Sequence, residues 1–173
     1  MFSQRGVLTL AHSRHDLDAQ SRWANAMLCN GVDAELLDAS QVRALEPRLN
    51  FGADARHPIL GGFVQRRAGS ARHDAVAWGY ARAASALGVD IVQNCAVTGF
   101  VKQAGRIVGV TTSRGEIRAD KVGLAVAGHS SVLAAMAGFR LPVTSYALQA
   151  MVSEPVKPVL QTVTLSPSLG AYW

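Results

Sequence analysis

Two dipeptide turns, Ala104-Gly105 and Arg114-Gly115, constrain this chain more than any other feature. Apolar alternation flanks both: AVTGFVKQ before the first, RIVGVTTS between them, EIRADKVGLAVAG after the second. Period-two alternation broken by short glycine-bearing turns predicts a β-meander. VDIVQN (89–94) predicts one more short strand ahead of it. The meander runs into VGLAVAGHSSVLAAMAGF (122–139), which holds His129, two serines and three glycines. A membrane span wants about 20 cleaner apolar residues. This stretch instead predicts a buried strand, a small-residue turn at Ala127-Gly128 and a short helix over 129–138.

The remaining chain alternates helix and strand signals. VLTLAHS (7–13) alternates like a strand. Residues 16–31 read as a helix with Leu17, Trp23, Met27 and Leu28 on one face and Gly31 as the stop. Residues 38–50 read as a short helix with Ser40 as N-cap, ended by Pro47. ILGGFVQ (59–65) is a strand carrying a glycine pair. A second long helix is expected over 74–87, on the spacing of Val76, Tyr80, Ala84 and Leu87, with Gly88 as its C-cap. Strands are expected again in 143–156 and 159–166. Such a mixture predicts an α/β or α+β fold with two interleaved subdomains.

Composition narrows the function. Of the 173 residues, 49% are hydrophobic and only 17% charged, so the chain can bury a core. The net charge of +5 suits an anionic ligand or an acidic partner. Basic residues are scattered singly apart from Arg66, Arg67 and Arg72, which argues against nucleic acid. Cys29 and Cys95 show no metal-ligand spacing, and low cysteine use fits a reducing cytoplasm. The start MFSQRGVLTLAHS lacks the apolar core of a signal peptide. His12 and His15 are read as surface residues, His57 as a loop residue before Pro58. His129 is read either as a neighbour of a nucleotide or as a structural histidine. Trp23, Trp78 and Trp173 are read as packing residues. Ser130 and Ser131 have no Asp/His arrangement beside them, so a hydrolase triad is not supported.

The crowded helix start at Arg72-His73-Asp74 is the sharpest chemical signal. From the residues alone, His73 is either a polar residue among solvated arginines or a reactive imidazole. Residues 105–128, GRIVGVTTSRGEIRADKVGLAVAG, resemble a segment of FAD-dependent oxidoreductases. There an apolar strand delivers a small-residue turn to the nucleotide, because only small side chains let backbone approach it closely. The match extends upstream. ARHDAVAWGYARAASALGVDIVQNCAVTGF, MFSQRGVLTLAH and ALQAMVSEPVKPV are similar to the β subunits of heterotetrameric sarcosine oxidases, in the D-amino-acid oxidase/glycine oxidase group of flavoenzymes.

That resemblance implies noncovalent FAD and an FMN bound covalently at His73, with Arg72 beside it. It implies that the backbone at Val97 and the turn at Gly128 meet the FAD. It also implies oxidative demethylation of sarcosine, with the other subunits of a heterotetramer as partners and no membrane. Attachment through the flavin 8α-methyl needs a neutral imidazole as nucleophile. Arg72 and the positive end of the following helix would favour that form, while Asp74 pulls the other way or caps the helix. Arg66, Arg67 and Arg72 together are expected to be able to receive a phosphate. No metal ligand and no acid or base is assigned. The N-terminal G-x-G-x-x-G of the family is absent, so the chain is expected to be a middle portion, inactive by itself. Residues 1–69 and 139–173 are assigned to the substrate domain and 70–138 to the FAD-binding domain. Two alternatives stay open: a related FAD amine or amino-acid oxidase without covalent FMN, and a noncatalytic subunit that keeps the fold.

Overall fold

The computed structural model describes residues 2–173. Along the chain come β1 (Phe2–Ser3), β2 (Val7–Ala11), α1 (Arg14–Cys29), β3 (Glu35–Asp38) and α2 (Ala39–Leu45). Then follow β4 (Gly61–Gln65), β5 (Ser70–Ala71), α3 (His73–Ala86), β6 (Val97–Gln103), β7 (Arg106–Thr112) and β8 (Gly115–Arg118). The last elements are α4 (Ser130–Ala137), β9 (Val163–Ser166) and β10 (Ala171–Tyr172). The chain forms two compact units, one ending at Ala83 and resuming over Ser153–Trp173, the other spanning Ala84–Val152. The mixed α/β class expected from the sequence is the class observed.

The first unit is built on a five-stranded sheet in the order β10-β9-β2-β4-β3. β2 runs antiparallel to β4 and parallel to β9. Alternate side chains of a strand face opposite sides, so Leu8 and Leu10 share one face and Thr9 takes the other. Leu8, Leu10, Leu37, Val42 and Val64 make the core, with Leu45, Leu49, Phe51 and Ile59 against it. Opposite Thr9 in register is Phe63, which meets the Trp23 ring of α1 edge-on at 6.3 Å. Helices α1 and α2 therefore cover opposite faces. The glycine pair in β4 permits close strand contact: a Cβ on Gly62 would run into the Thr9 carbonyl.

Helix α2 has its N-cap two residues earlier than the sequence suggests. Its N-cap is Asp38, not Ser40. Asp38 Oδ1 accepts the Gln41 N–H at 2.8 Å, and Gln41 Oε1 accepts the Asp38 N–H at 2.9 Å. This reciprocal pair satisfies two otherwise orphaned donors. Ser40 instead donates its hydroxyl to Asp38 at 2.6 Å.

In the second unit β6, β7 and β8 form the expected meander. Ala104 and Gly105 make the first turn with φ of 48° and 76°, the left-handed pair that a two-residue hairpin requires. A 3₁₀ turn over Ala127–His129 leads into α4, which Gly138 ends at φ 100°. Three expected strands are not formed: 89–94, 122–126 and 143–156. A strand is completed by the backbone of a neighbour, and none of the described strands pairs with these segments. Their apolar side chains stand open, with Leu148 94% exposed.

Candidate functional site

β5 pairs antiparallel with β1, and one residue later the chain turns into α3. The Arg72 carbonyl accepts the Val76 N–H at 3.1 Å, which makes His73 the first residue of the helix. Arg72 grips Asp74 with two nitrogens, at 3.3 and 2.6 Å, so an ion pair straddles His73. That hydrogen bond, followed by the Ala75 N–H, holds the Asp74 carboxyl below its ordinary value. The His73 side chain is exposed, and its ring takes no part in the hydrogen bonds among the described residues.

The expected arginine cluster is already spent on carboxylates. Arg66 holds Glu35 through two contacts of 2.8 Å. Arg67 holds Asp33, with its second contact at 2.9 Å. The cause is register: Glu35 pairs with Val64, which sets the acidic start of β3 beside the basic end of β4. Arg66 in turn keeps the Glu35 carboxyl below its usual range. These pairs are exposed, so each contributes little to stability. A phosphate at this surface would replace a carboxylate rather than meet three unpaired cations.

Arg72 and His73 belong to the first unit; Val97 and Gly128 belong to the second. Val97 opens β6 opposite Thr112, next to an Ala96 whose N–H donates to the Ser113 hydroxyl at 3.1 Å. Gly128 lies in the 127–129 turn. Its carbonyl accepts the Ser145 hydroxyl at 2.8 Å, and Ser130 donates to the Ala127 carbonyl at 2.7 Å. A Cβ added at Gly128 would meet nothing nearer than Ser145 Oγ at 4.0 Å, so the turn is open to close approach by a ligand. The residues fit the cofactors the sequence suggests: a free imidazole at one helix start, and an uncrowded small-residue turn.

His12 is not a surface residue. It is half-buried, with Nδ1 at 3.1 Å from the Pro58 carbonyl and Nε2 at 2.8 Å from Ser166 Oγ. A carbonyl can only accept, so Nδ1 carries the proton. His57 stacks edge-on at 6.2 Å. The partners lie 46 and 154 residues away, beyond any local pattern. The tryptophans read as packing residues are also open, Trp23 being 58% exposed. Among the described residues no three His, Cys, Asp or Glu side chains could hold a metal ion, and no helix is long and apolar enough to cross a membrane.

A family model described as FAD dependent oxidoreductase matches residues 1–172. The sarcosine oxidase subunit beta of Rhizobium meliloti (strain 1021) is 57% identical over 163 residues, which cover 94% of this chain and 39% of the relative. The subunit of the same name from Arthrobacter sp is 53% identical over 172 residues, covering 99% of this chain and 42% of the relative. L-proline dehydrogenase from P. horikoshii superposes with a TM-score of 0.78 at 20% identity, over 99% of this chain and 46% of that one. The chain thus spans about two fifths of the length of the curated relatives it matches.

Proposed function

Because the chain belongs to the FAD dependent oxidoreductase family, we propose that it works within the β subunit of a multi-subunit sarcosine oxidase. The observation that supports this most is identity above one half to two proteins of that name over nearly the whole chain. The reaction is oxidative demethylation of sarcosine. The N-methyl carbon gives up a hydride equivalent; water then releases glycine and formaldehyde, or tetrahydrofolate in place of water takes the carbon as methylene-folate, and oxygen accepts the two electrons with two protons and leaves as hydrogen peroxide. A bound flavin supplies the two-electron acceptor.

This chain's residues hold and position. His73 offers an exposed ring nitrogen as nucleophile for covalent FMN. Arg72, steadied by Asp74, stands beside it. Val97 presents backbone to noncovalent FAD, and Gly128 lets the nucleotide approach because it has no side chain. No side chain here is assigned as acid or base. Cys29 and Cys95 are free thiols, which suits a reducing cytoplasm.

The test is a denaturing gel of the purified complex. Flavin fluorescence is expected on the band carrying this chain and is expected to vanish in His73→Ala. A dark wild-type band with FAD released on denaturation overturns covalent attachment and selects an FAD-only amine or amino-acid oxidase. Absence of any flavin selects a noncatalytic subunit.

A further inference from the structure

A cavity of about 370 Å³ opens in the first unit between α1 and the 3₁₀ turn Pro167–Leu169. Asp16, Gln20, Arg22, Trp23, Pro167 and Ser168 line it. None of them belongs to the α3 start. Volumes of this order are typical of small-molecule sites.

Asp16, Gln20 and Trp23 recur at four- and three-residue steps, so they share one face of α1. Asp16 accepts the Ser168 hydroxyl at 2.7 Å and the His12 N–H at 2.9 Å. The Ser168 bond, then the His12 and Ser13 N–H and hydroxyl contacts, hold its carboxyl below the ordinary value of 3.8 despite partial burial, so it is ionised at neutral pH. Arg22 lies about 9 Å further along the axis. It lines the same space from beside the face that Asp16, Gln20 and Trp23 share. Among the described residues neither Asp16 nor Arg22 forms an ion pair. Gln20 is only 5% exposed; its Nε2 donates to the Leu10 carbonyl at 2.8 Å, and its Oε1 is buried without a partner.

We propose that this cavity binds a small zwitterionic amino acid, its ammonium toward Asp16 and Trp23 and its carboxylate toward Arg22. A carboxylate and a guanidinium, neither of them in an ion pair among the described residues, and an open indole line one space. A simple cation would leave Arg22 unmatched, and a simple anion would leave Asp16 unmatched. Cationic nitrogen is also what an indole face attracts. The assignment does not rest on flavin chemistry elsewhere in the chain.

The probe is glycine betaine, titrated into the complete protein by calorimetry. Its quaternary nitrogen has no lone pair, so amine oxidation cannot contribute to the heat. Saturable binding is expected, weakened about tenfold in Trp23→Ala and in Arg22→Gln. Both residues lie on the surface of α1, so both variants should fold. Methylammonium and acetate are each expected to bind more weakly than betaine, and the flavin absorbance should stay unchanged on binding. Absence of saturable binding, equal affinity in wild type and both variants, or methylammonium binding as tightly as betaine would overturn the proposal. So would a betaine-induced flavin spectral change that persists in Trp23→Ala. None of these results alters the flavin-gel outcome, so the two readings fail separately.

Discussion

Glu46 does more for the first unit than any signal near it in the sequence suggests. It is 1% exposed, and its Oε1 accepts the Gln161 N–H at 2.8 Å, the Thr162 N–H at 2.6 Å and the Thr162 hydroxyl at 2.8 Å. The donors lie 115 and 116 residues away, at the approach to β9. One carboxyl oxygen therefore fixes where the C-terminal strand enters beside β2. Removing it leaves three donors without their acceptor, and the N–H and hydroxyl of Thr162 are buried, where stranding a donor is costly. Glu46→Ala should lower the unfolding free energy by about 3 kcal/mol or more, read from urea denaturation. Glu46→Gln keeps an acceptor oxygen and should lose clearly less. Equal losses would mean that packing, not the hydrogen bonds, is what Glu46 supplies. At this scale the sequence was partly readable. It marked His73 as unusual, but it put the α2 cap at Ser40 because it could not show that Asp38 and Gln41 bond reciprocally.

Elements followed their local code wherever a partner was close in sequence. β6 and β7 flank a two-residue turn, and both turn residues were legible as Ala104-Gly105. Gly105 tolerates its positive φ without cost, whereas Ala104 at φ 48° carries a Cβ against the following carbonyl. Ala104→Asn should stabilise the hairpin by roughly 0.5–1 kcal/mol, since asparagine adopts the left-handed region more readily. Thermal melts of the two proteins check it; a lower midpoint for the asparagine variant would contradict the strain argument. Helix α3 also matched its pattern to within one residue at each end, because 3.6-residue periodicity and Gly88 are local signals. The strands expected at 89–94, 122–126 and 143–156 show the limit of that code. Alternation says a segment can be a strand, but a ladder also needs a neighbour.

At the scale of the whole molecule those unpaired segments leave apolar surface in water. Tyr146, Leu148, Met151 and Val152 are all strongly exposed, and so are Tyr80 and Leu87 along and after α3. Exposed apolar side chains in such number mark interaction sites. The 173-residue chain by itself should therefore bind anilinonaphthalene sulfonate and brighten it, and the multi-subunit complex proposed above should not; equal dye fluorescence in both would count against burial of this surface in that complex. What the sequence by itself determined was the mixed fold class, the meander, the principal helices and a family whose signature runs along the whole chain. The fold class, meander and helices rest on periodicity and turn chemistry and the family on a residue-by-residue resemblance, all of which are read along the chain. Only the tertiary structure decided that β9 returns to pair parallel with β2, that Glu46 latches it, and that Arg66 and Arg67 are spent on Glu35 and Asp33. It also set the Trp23 ring both against Phe63 and along the wall of a cavity. The physical reason is the same each time: these partners meet across the fold, and no spacing along the chain encodes where they will stand.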